Sequence, residues 1–144
     1  MDPSVDPVLH YFLLQVVGFD SVDDESIYEV FSKKEFEVSP LEWTDKTNPH
    51  YAYWIYYLYI NLLSLNNLRK MRGLNTFSFR PHCGESGNID HLATAFLVVD
   101  GINHGIRLQR SPVLQYLYYL EEIGIAMSPL SNNKLLLFQY SLYI

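Results

Sequence analysis

From Val16 to Ser128 the chain alternates short apolar runs with longer amphipathic ones, and the later pairs recur at intervals of roughly 25 residues. That rhythm is the mark of βα units, so the sequence predicts an α/β fold with a parallel sheet and packed helices. Apolar residues at Val5, Val8, Leu9, Phe12, Leu13 and Val16 share one helical face, predicting a helix over 5–17 that runs straight into a strand over 16–22. Asp23, Asp24 and Glu25 follow as a solvated acidic turn. The stretch 24–48 mixes charges, contains Pro40 and holds no period, so it reads as one long connection. Asn48-Pro49 supplies a cap and a first-turn proline for a long helix to about Arg72, closed by Gly73. The tyrosines and tryptophan on that helix read as packing rather than as a stacking site for a cofactor.

The stretch Thr76-Phe-Ser-Phe-Arg-Pro-His-Cys-Gly-Glu85 is a candidate strand with Phe77 and Phe79 on one face and Thr76, Ser78, Arg80 and His82 on the other. Its end delivers His82 and, across a glycine, Glu85. An imidazole can ligate a metal and a carboxyl group can carry protons, a pairing that suits a metal-activated water. The His-x-x-Glu spacing is common, however, and a strand-end histidine is more often hydrogen-bonded structure than a ligand. Asn88 caps a further helix with Ile89, Leu92, Ala93, Phe96 and Leu97 inward, which leaves His91 facing solvent. Residues 101–105 form a very short strand ending in His104-Gly105. Ser111-Pro112 opens a helix with Val113, Leu114, Leu117 and Leu120 inward, and Ile125 to Ser128 is the last strand. Asp23, His82 with Glu85, His104 and Ser128 all follow strands, the edge on which parallel α/β folds build sites.

A length of 144 residues suits one domain, and 49% apolar residues suit a globular one. The formal charge of −6 disfavours nucleic acid as a partner. One cysteine, Cys83, permits neither an internal disulfide nor a Cys-x-x-Cys zinc site and fits a reducing compartment. With neither a signal-like opening nor a long uninterrupted apolar run, no membrane partner and a cytosolic location are expected.

The blocks 19–26, 75–86 (Asn-Thr-Phe-Ser-Phe-Arg-Pro-His-Cys-Gly-Glu-Ser), 103–105, 111–117 and 125–133 resemble, in order and spacing, those of AMP deaminases within the adenosine and AMP deaminase family of metal-dependent hydrolases. The resemblance runs from about Val5 to Leu137, and 138–144 is a divergent tail. It implies a (β/α)8 TIM barrel, of which this chain, as a single partial domain over 1–144, holds strands four to seven. It further implies catalytic Zn2+ and conversion of AMP and water to IMP and ammonia in purine nucleotide interconversion. Carried over by position, His82 is a zinc ligand, Glu85 the acid that binds and protonates the purine at N1, and His104 the base toward the attacking water. Asp23 lies near the substrate base, and Ser128 to Asn133 help shape the pocket.

The family's His-x-His pair and its Ser-Thr-Asp-Asp-Pro block are absent from this sequence, so the remaining zinc ligands and the phosphate-binding groups are expected outside it. The chain is therefore expected to be a truncated product, inactive alone. Two other readings stand beside it: a non-catalytic paralogue that partners full-length subunits, with a homo-oligomer left open, and an adenosine-type nucleoside deaminase. A flavodoxin-like domain would satisfy the same element order.

Overall fold

The computed structural model describes residues 4–130 and residue 132. Asn133 and the tail at 138–144 lie outside the described residues. Helix α1 (Pro7–Gln15) leads to strand β1 (Gly18–Phe19), and helix α2 (Tyr51–Met71) follows the long connection. Then come β2 (Ser78–Phe79), β3 (His82–Cys83), α3 (Asp90–Phe96), β4 (Gly101–His104), α4 (Pro112–Leu120) and β5 (Gly124–Ala126).

Every strand pair is parallel: β1 with β2, β3 with β4, and β4 with β5. The expected single strand from Thr76 is split at Pro81, which has no N–H to give to a ladder. The sheet nevertheless runs on across the break. Ser78, Arg80 and His82 donate in turn to the carbonyls of Val17, Phe19 and Ser21, and Asn103 and Gly105 donate to those of Pro81 and Cys83. Spatial order therefore equals chain order. A flavodoxin-like sheet would place a reversal somewhere among four consecutive strands, and none occurs here. The arrangement is a singly wound parallel α/β layer.

Alternation through 77–83 is as the sequence dictates: Phe77, Phe79, Pro81 and Cys83 are buried, while Ser78, Arg80 and His82 lie on the more open face. The buried face meets Tyr51 and Ile55 of α2, Leu92 and Ala95 of α3, Leu108 and Tyr118, together with Ile102 from β4. The long connection contains one 3-10 turn, Glu35–Glu37, and it is fastened to the start of α2. Glu29 accepts the Tyr51 N–H and Glu35 accepts the His50 N–H, carboxylates satisfying free amides at the positive helix end. Tyr53 completes the clamp by donating to the Val38 carbonyl at 2.7 Å.

Four expectations change. The cap of α2 is His50, whose Nδ1 accepts the Ala52 N–H, and Asn48 bonds to Asp23 instead. Helix α1 buries no residue: Val5, Val8 and Phe12 are largely exposed, because among the described residues no element covers that face. On α3 the inward face is His91, Leu92 and Ala95, with Leu97 exposed. On α4, Val113 and Leu120 are exposed and Tyr118 is the buried residue, its hydroxyl donating to the Leu92 carbonyl at 2.9 Å. No helix among the described residues is long and apolar enough to cross a membrane.

Candidate active site

The ends of β3 and β4 lie side by side because the ladder pairs Cys83 with His104. Beyond them the chain must turn sharply. Gly84 takes a left-handed φ of 67°, and His104 itself sits at φ 75° ahead of Gly105 at 60°. A left-handed non-glycine residue costs on the order of 1–3 kcal/mol and is retained where its surroundings demand it. Here the turn brings the His104 ring to 4.7 Å from that of His82, centroid to centroid.

Three of the residues singled out in the sequence are thereby brought together. Glu85 Oε1 stands 3.6 Å from His104 Nδ1. Asn132, almost wholly buried, joins them: its Nδ2 lies 3.2 Å from Glu85 Oε1 and 2.9 Å from His104 Nδ1. The Ser128 N–H donates to Asn132 Oδ1, which fixes the amide so that its NH2 side faces both groups. In the neutral ring His104 Nδ1 is therefore an acceptor and the proton sits on Nε2. Glu85 Oε2 has no partner among the described residues.

His82 Nδ1 is 2.9 Å from Asp20 Oδ1, which leaves Nε2 pointing from a ring oriented by a carboxylate. That is the arrangement in which a histidine holds a metal. Sequence reasoning misses Asp20 because it extends the preceding strand to Val22, whereas the first charged residue past the true strand is Asp20. Asp23 is not brought to the group: its carboxylate accepts from the Asn48 side chain and the Asp24 N–H. Among the described residues no cluster of three or more His, Cys, Asp or Glu could hold a metal by itself. Burial pushes the Cys83 thiol up to about 12, so its sulfur, on the helix-facing side of the strand, stays protonated and is not a nucleophile.

The larger surprise lies beneath the turn. Glu25, expected in solvent, is buried, and its carboxylate accepts the Gly84 N–H at 2.7 Å and the Glu85 N–H at 3.4 Å. His91, also expected outside, is buried with Nδ1 3.4 Å from Glu25 and Nε2 3.1 Å from Glu29. The Tyr51 ring lies flat on it at 4.2 Å. Burial pulls the His91 pKa down, but the Glu25 hydrogen bond and the charges of Glu29 and Glu25 outweigh this and hold it above the ordinary 6.5.

A raised folded pKa means that the native state binds more protons than the unfolded chain from 6.5 up to the raised value. Stability from this group is complete below pH 6.5 and is lost as pH climbs through the folded pKa. Glu25, Glu29 and Tyr51 are the groups that face the imidazole, and His50 lies behind Glu29. Thermal melting across that window should show a falling midpoint, flattened in His91→Gln. A profile in the unsubstituted chain that stays level above pH 6.5 would contradict the linkage.

The order of strands, the His82/Glu85/His104 juxtaposition and the sequence likeness point the same way. The profile of the family described as AMP deaminase matches residues 1–142. Over 136 residues the chain is 59% identical to the AMP deaminase of Schizosaccharomyces pombe and 58% identical to that of Dictyostelium discoideum, in each case over 94% of this chain. It is 56% identical over 139 residues, 95% of the chain, to human AMP deaminase 1. The chain spans 16%, 17% and 18% of the length of these three relatives, respectively. Identity at this level across nearly every described element is carried only by common descent with a common fold, and the chain belongs to the AMP deaminase family.

Proposed function

We propose that this chain forms part of the active site of a zinc-dependent aminohydrolase that converts AMP and water to IMP and ammonia. The barrel of that enzyme is closed by residues beyond these 144. The observation that carries the reading is the meeting of His82, Glu85 and His104 at adjoining strand ends, from segments that the sequence separates by up to 22 positions.

His82 would hold the zinc through Nε2, oriented by Asp20, with the other ligands supplied from elsewhere. When bound, zinc supplies a water acidified toward a pKa of about 7. His104 accepts a proton at Nδ1, its only lone pair; the Asn132 N–H that occupied it must give way, and the new N–H turns toward Glu85 Oε1, 3.6 Å away. The imidazolium so formed faces Glu85 Oε1. Glu85 moves its proton at Oε2, because Oε1 is occupied by Asn132, and Oε2, which has no hydrogen-bond partner among the described residues, is the oxygen that meets N1 of the purine.

The test is a segment exchange: this chain's residues replace the matching 136 in the S. pombe AMP deaminase. Ammonia release from AMP is expected to persist; a folded, zinc-loaded chimera that leaves AMP untouched would refute the reading. The pure 144-residue chain, by contrast, should release none, since one oriented imidazole does not retain zinc. Turnover of AMP by that chain at the relative's own rate would show that its residues suffice.

A further inference from the structure

The buried Glu25–His91–Glu29 chain takes no direct part in the chemistry described above, yet it touches the segment on which that chemistry depends. The turn 84–87 is fixed from two sides. A Cβ on Gly84 would meet Leu92 at 2.8 Å, and one on Gly87 would lie 1.8 Å from the Glu25 carbonyl oxygen. Between these contacts the Glu25 carboxylate gathers two successive amides, those of Gly84 and Glu85. A buried carboxylate with those two donors is only partly compensated. His91 supplies the rest from α3, Glu29 holds its second nitrogen, and the Tyr51 ring covers its face. The Tyr51 hydroxyl in turn donates to the His82 carbonyl at 3.1 Å, so the same support reaches both ends of the His-Cys-Gly-Glu segment.

We propose that Glu25 and His91 are positioning residues for Glu85: together they hold the 84–87 turn so that the Glu85 carboxylate stays against Asn132 and His104. The inference rests on the role assigned to Glu85 above. It also explains why charged groups sit where apolar ones would pack: an aliphatic side chain at position 25 or 91 could fill the space but could not accept two amides or bridge two carboxylates.

The test uses the 144-residue chain and nuclear magnetic resonance, with melting temperature as a separate readout. The side-chain amide of Asn132 reports the contact with Glu85, and Glu85→Gln provides the reference shift. Glu25→Ala and His91→Phe are expected to displace that resonance and to lower hydrogen-exchange protection of the Gly84 and Glu85 amides by about tenfold or more, with amides of α4 unaffected. His91→Gln, which keeps a donor toward one carboxylate, should recover part of both. Where Glu25→Ala or His91→Phe fails to fold, Glu25→Gln decides, since it keeps one acceptor oxygen, for Gly84, and replaces the charge and the second oxygen, which takes the Glu85 N–H, by an NH2 group; a partial loss of protection confined to residues 84 and 85 is expected. An unmoved Asn132 resonance, or protection lost evenly through the whole chain in step with melting, would overturn the proposal. Failure of the parent reading shows elsewhere, as ammonia release that survives Glu85→Gln in the segment-exchanged enzyme.

Discussion

Glu85→Gln in the segment-exchanged enzyme should lower kcat for ammonia release from AMP by about 10²- to 10⁴-fold, the range expected when a positioned proton carrier is removed. Glutamine preserves the volume of the side chain and the acceptor that Asn132 uses, so the site keeps its shape. What disappears is the carboxyl proton at Oε2, the oxygen proposed to meet the purine. The glutamine NH2 can still donate to N1, so ground-state binding is kept and KM stays nearly unchanged while kcat and kcat/KM fall together. His104→Asn should show a loss of similar size. The two losses should not multiply in the double variant, because Glu85 and His104 share Asn132 and stand 3.6 Å apart. Activity within about threefold of the parent in Glu85→Gln, where the general-acid contribution is expected to be at least about a hundredfold, would remove Glu85 from the chemistry.

Gly87→Ala should be the most damaging of the glycine-to-alanine changes among the described residues. Its φ of 65° is unfavourable for alanine, at about 1 kcal/mol, and the new Cβ would lie 1.8 Å from the Glu25 carbonyl oxygen. Backbone meets backbone there, so no side chain can swing aside, and overpacking adds about 1–3 kcal/mol. Gly73→Ala is the matched control. Its φ is 66°, and nothing lies within 4 Å of the added carbon, so only the conformational cost of about 1 kcal/mol applies. Urea unfolding of the two variants separates the terms. Equal destabilisation would mean that the loop after β1 does not press on the turn as described.

Much of the sheet is legible because it depends on local rules. Alternation along 77–83 assigns faces without knowledge of any neighbour, and Pro112 after Ser111 marks the start of α4, where the Ser111 hydroxyl caps Leu114. The sequence likewise marks His82, Glu85 and His104, since each falls just past an apolar run. Periodicity misjudges α3 and α4 because it weighs only apolarity. It puts His91 outside and Leu97 inside, whereas the structure buries the histidine among two carboxylates and a tyrosine ring and leaves the leucine 76% exposed. An acidic run reads as a solvated turn for the same reason: nothing local in Asp23-Asp24-Glu25 says that the third carboxylate will meet amides 59 and 60 positions away.

The sequence by itself determined the βα alternation, the faces of the 77–83 strand and the histidines and glutamate at strand ends, because these follow from backbone geometry within a few residues. Only the tertiary structure decided that strands lie in chain order, that Asp20 rather than Asp23 reaches the site, and that Asn132 ties Glu85 to His104. Those contacts join groups far apart along the chain. Whether a polar side chain ends in water or in a buried pair is set by the partner that folding delivers to it.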